Sequence, residues 1–125
     1  MSDATQTTMP GDPPRLQIDS AETMTHVTFP RKRVDGVAVR ELYEAAATLS
    51  HGKEPCLLVD LTGVSHATSG LMGILVTIQK LFRHVGGHLH VSTPDPLVLQ
   101  QFEQMNLHLV LRLFDSVETA SQFKE

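Results

Sequence analysis

Apolar and polar residues alternate in two short segments near the start of the chain, residues 16–19 and 24–29. A period of two residues is typical of strands that bury one face. The four residues between these segments are few enough for a hairpin turn, so we predict two paired strands. Pro30 follows and predicts the end of the second strand, because proline has no backbone N–H to donate.

Helical spacing of apolar residues replaces this alternation further along the chain. Asp35 and Gly36 open a predicted helix that runs to about Ser50, with Asp35 as its N-cap. Gly52 predicts the end of the helix, since glycine readily adopts the left-handed conformation of a C-cap. The apolar stripe of this helix has spacings of three, four and three residues and consists of Val39, Leu42, Ala46 and Leu49.

A strand, a turn with hydroxyl side chains and a second helix follow. Residues 56–61 are nearly all apolar, as expected for a strand buried on both faces. The helix is predicted to start near Thr68 or Ser69 and to end at Gly86 and Gly87. Its core stripe consists of Leu71, Leu75, Ile78, Phe82 and Val85.

In the remainder of the chain, segments with the pattern of a strand again alternate with segments with the pattern of a helix. Residues 88–92 predict a strand, and residues 93–96 cap a helix that ends near Met105. A last short strand is predicted within residues 107–114 and a terminal helix at residues 116–123. The order β-β-α-β-α-β-α-β-α indicates an α/β fold, with a mixed sheet packed against helices.

Composition and charge narrow the class of protein. The 125 residues suffice for one core, and we expect a tail at residues 1–14 before a domain at residues 15–124. The net charge of −4 argues against a dedicated nucleic-acid binder. No apolar run approaches the roughly 20 residues that span a bilayer, so we predict a cytoplasmic protein. Cys56 is the single cysteine, and its apolar neighbours predict a buried, reduced thiol.

Two adjacent hydroxyl residues, Thr68 and Ser69, precede the second helix. Free backbone N–H groups and the helix dipole favour negative charge at this position, so a hydroxyl here is well placed to carry a phosphate. A purely structural interpretation is also open. In it, both residues serve as helix caps, each contributing about 1 kcal/mol to stability.

Several segments together resemble the STAS family, the sulfate-transporter and anti-sigma-factor antagonist domains. The resemblance extends over residues 16–123 and depends on the order and spacing of the segments. Thr68-Ser69-Gly70-Leu71 resembles the family loop D-S-S-G-L without its leading Asp. The other similar segments are residues 58–61 in the central strand, the G-G-x-L-x-L pattern at residues 86–91, the helix at residues 94–107 and the ending at residues 113–120.

This resemblance implies a phosphorylation site and a partner. In the family, the first hydroxyl of the loop accepts phosphate from a partner kinase that is also an anti-sigma factor. That position corresponds to Thr68, and the second hydroxyl to Ser69. Asp35 corresponds to an acidic residue that supports the acceptor loop. Ala67 stands in place of the loop Asp, and the segment also resembles a divergent branch of the family that lacks this Asp.

The implied mechanism is a switch in protein–protein interaction. Gly70, Met72 and Gly73 offer a small, partly apolar docking surface, which a phosphate of about −1.5 to −2 charges would disrupt. We therefore expect a non-enzymatic module without a cofactor, whose partner is an anti-sigma factor or a switch-protein serine/threonine kinase. The oligomeric state stays open. The alternative is a STAS-type structural or ligand-sensing subunit of a transporter or signalling assembly, without phosphorylation.

Seven histidines raise the question of a metal site. His88 and His90 share one face of a predicted strand, and His66 and His84 are further candidates. No zinc-type spacing of Cys and His occurs, however. We interpret His88 and His90 as the solvent side of the strand and predict no metal.

Overall fold

The strands of the central sheet follow one another in space in the same order as in the sequence, β1-β2-β3-β4-β5. The computed structural model describes residues 16–20, 24–29, 36–53 and 55–122. The elements are β1 (Gln17–Ser20), β2 (Thr25–Thr28), α1 (Gly36–Leu49), β3 (Cys56–Asp60), α2 (Ser69–His84), β4 (His88–Ser92), α3 (Pro96–Gln104), a 3₁₀ turn (Leu107–Leu109), β5 (Arg112–Phe114) and α4 (Val117–Gln122). The predicted element order and α/β fold class are confirmed.

Some predictions concern residues outside the described ranges. These are the tail at residues 1–14, the stop at Pro30, and both roles of Asp35, as N-cap of α1 and as neighbour of the acceptor loop. They remain predictions.

The sheet is mixed, with one antiparallel pair and three parallel pairs. Strand β1 pairs with β2 in the antiparallel direction, whereas β2, β3, β4 and β5 run parallel. The carboxyl ends of the parallel strands therefore lie at one edge. Backbone hydrogen bonds continue past the strands there, from Leu61 N–H to the Ser92 carbonyl (2.8 Å) and from Thr93 N–H to the Phe114 carbonyl (2.9 Å). Helices α2 and α3 begin just beyond this edge.

One face of the sheet, here called the front face, forms the main core with α1 and α2. Val27, Val59 and Val91 are neighbours across β2, β3 and β4, and all three are fully buried. The two helices contribute the apolar stripes that their spacing predicts. Their fully buried residues are Leu42, Ala46, Leu71, Leu75, Ile78 and Phe82.

The opposite face, the back face, is covered by α4. Leu58 and His90 are neighbours on this face and are 0% and 1% exposed. His90 Nδ1 lies 2.9 Å from the Ala120 carbonyl of α4, and its ring centroid lies 5.1 Å from that of Phe114. The interpretation of His90 as solvent-facing is therefore wrong, because a six-residue helix packs on that side of β4. His88, at the start of the strand, is half-buried.

Three smaller differences concern the ends of elements. Val85 was predicted for the core stripe but is 36% exposed, because α2 ends at His84 and Val85 forms its C-cap. Cys56 is half-buried rather than buried, since it is the first residue of β3. The segment at 107–114 holds a 3₁₀ turn before a three-residue strand. Asn106, with φ of 59°, redirects the chain there, and asparagine tolerates this left-handed conformation.

The turn from α2 into β4 depends on two glycines. Gly86 has φ of 74°, a region that side chains with a Cβ rarely adopt. A Cβ on Gly87 would lie 2.5 Å from the Pro55 carbonyl oxygen, so only glycine fits this close approach. Among the described residues, no helix combines the length and the hydrophobicity needed to cross a membrane.

Candidate functional site

The candidate site is the loop at residues 61–68, which connects the carboxyl end of β3 to α2. Leu61, Val64 and Ala67 are each buried in the main core. Val64 N–H donates to the Leu61 carbonyl (2.9 Å), which closes a tight turn. Because every third residue is anchored, the loop holds the start of α2 in a defined position.

Asp60 fixes the first part of this loop. Its Oδ1 accepts hydrogen bonds from the backbone N–H of Thr62 (2.9 Å) and from the Thr62 hydroxyl. Its Oδ2 lies 3.4 Å from His26 Nε2 of β2. That distance allows electrostatic attraction when the imidazole is protonated, but the geometry is not that of a hydrogen bond. The carboxylate thus ties the loop to β3.

Gln101 of α3 fixes the second part of the loop. Its Oε1 accepts a hydrogen bond from the Ala67 N–H (2.9 Å), and its Nε2 lies 3.4 Å from the Ala67 carbonyl oxygen. Nε2 also lies 3.2 Å from His66 Nδ1. One amide side chain therefore links α3 to the two residues before Thr68. The sequence pattern does not predict this contact, because the two residues lie 34 positions apart.

Thr68 caps α2. Its backbone is extended, and its Oγ1 accepts a hydrogen bond from the Leu71 N–H at 3.1 Å. The Thr68 carbonyl accepts the first helical hydrogen bond, from the Met72 N–H at 3.0 Å. The predicted helix start is confirmed. Ser69 is the first helical residue and is exposed, whereas Thr68 is half-buried.

The first turn of α2 also contains the predicted docking residues. Gly70 and Gly73 are exposed and Met72 is half-buried. A Cβ on Gly73 would meet nothing within 4 Å, so the surface beside it is open. The N–H groups of Ser69 and Gly70 have no acceptor within the helix, because a helix leaves its first N–H groups unpaired. The site therefore combines backbone N–H donors, two hydroxyls and a patch with few side-chain atoms.

The histidines do not form a metal centre in the described part of the chain. His66 is exposed beside the loop, whereas His90 lies under α4. No group of three or more His, Cys, Asp or Glu side chains among the described residues could hold a metal ion.

Comparison with known proteins identifies the family. A model of the STAS domain matches residues 20–120 of the chain. The five-stranded mixed sheet, with the loop and helix α2 at the carboxyl end of β3, is the fold shared with solved STAS proteins. The chain belongs to the STAS domain family. No curated protein matches its sequence.

Three solved structures illustrate the similarity. An anti-sigma-factor antagonist (STAS) domain protein from Planctomyces limnophilus is 17% identical, with a TM-score of 0.73 over 86% of this chain and 95% of its own. An anti-sigma factor antagonist from Mycobacterium paratuberculosis is 18% identical, with a TM-score of 0.71 over 85% and 89%. The Bacillus cell fate determinant SpoIIAA, solved in its phosphorylated form, is 16% identical, with a TM-score of 0.67 over 85% and 96%.

Proposed function

We propose that this protein is a non-enzymatic interaction module, similar to the anti-sigma factor antagonists, that is switched by phosphorylation at the start of α2. The acceptor is Thr68 or Ser69. The partner is an anti-sigma factor or a switch-protein serine/threonine kinase, and Asp35 supports the acceptor loop. The observation that carries the proposal is a pair of hydroxyls at a helix N-terminus whose loop is anchored on both sides, by Asp60 and by Gln101.

The helix N-terminus would stabilise a phosphate in the free protein. A phosphoryl group on Thr68 or Ser69 lies beside the unpaired N–H groups of the first turn of α2, which point toward it. The positive end of the helix dipole adds a favourable interaction with the dianion. The described first turn of α2 contains no acidic residue that would repel it. The modified protein should therefore keep its fold.

The effect of the phosphate falls on the partner surface. Gly70, Met72 and Gly73 lie within the first five residues of the same helix and present little more than backbone and one thioether. A partner that packs here would have to desolvate the dianion. Loss of about 3 kcal/mol of binding free energy weakens affinity roughly a hundredfold, which suffices for a switch.

The first test is mass spectrometry of the protein isolated from its native cells, with the modified residue identified. We expect phosphate on Thr68 or Ser69. Two variants then separate the positions in a kinase assay. Thr68→Asn removes the hydroxyl but keeps an oxygen that can cap the helix, and Ser69→Ala removes the exposed hydroxyl. A loop that stays unmodified under all growth and stress conditions would reject the switch.

A third variant tests the docking surface. Gly73→Gln places a side chain in open space, so the fold should be unchanged or slightly more stable, since glycine disfavours helix. Binding of the unmodified protein to its partner should weaken at least tenfold. Unchanged binding would show that the partner docks elsewhere.

A second candidate function rests on Thr68 and Ala67. The Thr68 oxygen already accepts a hydrogen bond as helix cap, and Ala67 is buried where the family loop has an Asp. Both features fit a STAS-type structural or ligand-sensing subunit of a transporter or signalling assembly, in which the loop is never modified. An unmodified loop in the experiment above would favour this function.

A further inference from the structure

A cavity of about 320 Å³ lies at the opposite end of α2 from the acceptor loop. One wall is a single face of α2, formed by Val76, Gln79, Lys80 and Arg83, whose spacing of three, one and three residues places them on one side of the helix. The floor is the start of β4, from Gly87 to Leu89, and the other wall consists of Leu109, Val110 and Arg112. At 1.5 Å per residue, the α2 residues that line this cavity lie about 12–23 Å from Thr68 along the helix axis.

Among the described residues, the charged side chains that line this cavity are all basic. Lys80 and Arg83 come from α2, and Arg112 comes from β5 on the other wall. Basic residues in the last turn of a helix are expected from the dipole alone, but that does not account for Arg112 on a different element. Neither Lys80 nor Arg83 forms an ion pair with a residue in the described part of the chain. A chain of net charge −4 thus has a local cationic site.

The rim of the cavity is apolar. Leu109 is 73% exposed and Val110 is 49% exposed, and the two are adjacent at the 3₁₀ turn. Covering large aliphatic side chains at the edge of a cavity is favourable, because it removes apolar surface from water. The volume lies at the lower limit of the roughly 300–1,000 Å³ of small-molecule sites, which suits a small ligand.

We propose that this cavity binds an organic anion, a carboxylate or phosphate ester that is joined to a short alkyl chain. The anionic group lies between Lys80 and Arg83, where guanidinium and ammonium groups give charge-assisted hydrogen bonds. The alkyl chain packs on Leu109 and Val110. A simple inorganic anion would leave the apolar rim in water, and a neutral amphiphile would leave Lys80 and Arg83 without an anionic partner. The proposal concerns the far end of α2 and does not depend on phosphorylation of the loop.

The test is a titration of the ¹⁵N-labelled full chain with octyl phosphate, followed by NMR. Saturable shifts are expected at the amides of Gly87, Val110 and Arg112. Inorganic phosphate has the charge without the chain, and octyl glucoside has the chain without the charge. Both should bind at least about tenfold more weakly, since each lacks one half of the contacts. Equal binding of either comparator would overturn the proposal, as would shifts that map elsewhere.

Substitutions test whether the residues that line the cavity bind octyl phosphate. The double substitution Lys80→Gln and Arg83→Gln should weaken the binding of octyl phosphate at least about tenfold, and Leu109→Ser should do the same. Lys53 is an exposed lysine after α1, and Lys53→Gln should not change the affinity. All these side chains are exposed, and an unchanged NMR spectrum of each free variant verifies its fold. Unaltered affinity of the double variant would reject the site.

Vesicles separate the two sources of such an anion. Phosphatidylglycerol vesicles that compete with octyl phosphate for the same amides would identify a lipid headgroup as a ligand. If vesicles do not compete, the ligand is a free small molecule. Binding of vesicles without binding of octyl phosphate would contradict the proposal, because it would indicate a membrane-facing surface and not a pocket.

Discussion

Ala67 is the loop residue whose side chain anchors the end of the loop at residues 61–68 in the core. It is 1% exposed and packs among the apolar residues beneath the loop. The related loop motif has an Asp at this position. The alanine therefore replaces a charge with a methyl group that adds to the core, and it leaves the backbone N–H and carbonyl of residue 67 to Gln101.

Ala67→Asp should destabilise the protein by about 3 kcal/mol at pH 7, because a carboxylate is buried among apolar side chains. Burial raises the pKa of the new carboxyl above its unfolded value, so the neutral form is favoured in the fold. The loss of stability relative to wild type should therefore be smallest at acid pH and should grow as pH rises. Urea unfolding at several pH values measures this.

Ser69→Asp is the matched control for this prediction. It adds the same charge two residues later, at an exposed helix N-terminus where an acidic side chain is favourable by about 0.5 kcal/mol. Equal destabilisation by both variants would indicate that the added charge, and not its burial, is responsible.

At the scale of elements, the Gln101 side chain links α3 to the loop at residues 61–68. Gln101→Met keeps the size of the side chain but leaves the Ala67 N–H without its acceptor, which should cost about 1–2 kcal/mol. Hydrogen exchange of the Ala67 amide should become faster by at least about tenfold, since that bond protects it.

Gln101→Glu separates the two halves of this contact. It retains an oxygen for the Ala67 N–H and removes the donor near the Ala67 carbonyl and His66. The hydrogen-exchange rate of the Ala67 amide in this variant should therefore lie between the rates in wild type and in Gln101→Met. Unchanged protection in the methionine variant would mean that α3 does not stabilise the loop.

The elements were predictable because each obeys one period. Alternation of apolar and polar residues predicts β1, β2 and β4, and helical spacing of apolar residues predicts α1 and α2. The hydroxyl residues predict the helix start at Thr68. The period of a strand does not reveal what covers its second face. His90 was therefore misassigned, since its cover is a helix 30 residues away.

Only those features of the candidate site that depend on neighbouring residues in the sequence were predictable. Thr68, as helix cap, follows from residue type and position alone. Gln101 does not, because its contact joins two elements that become neighbours only in the folded chain. One signal was available: Gln101 is a polar residue between Val98 and Phe102, which are both buried, so it lies at the edge of a core-facing stripe.

At the scale of the whole molecule, α4 closes the back face of the sheet. A six-residue helix is not stable alone, so its structure depends on packing. Ala120 supplies that packing, since it is fully buried and its carbonyl lies beside His90. Ala120→Glu should therefore cost at least about 3 kcal/mol, because the charge would be buried without a partner.

Ser121→Glu is the control for this prediction, since it adds the same side chain at an exposed neighbouring position of α4. Its stability should stay within about 0.5 kcal/mol of wild type. Urea unfolding measures both variants, and hydrogen exchange of the α4 amides reports whether the helix detaches. A stable Ala120→Glu variant with a protected α4 would contradict the role given to Ala120.

The strict agreement between strand order in space and in sequence has a consequence for synthesis on the ribosome. Each strand from β2 to β5 pairs with the strand made just before it, so every new unit has a finished surface on which to form. A domain nevertheless generally folds as a unit during translation. We expect stable folding only once α4, the last described element, has emerged. The apolar back face around Leu58 would stay exposed to chaperones until α4 arrives.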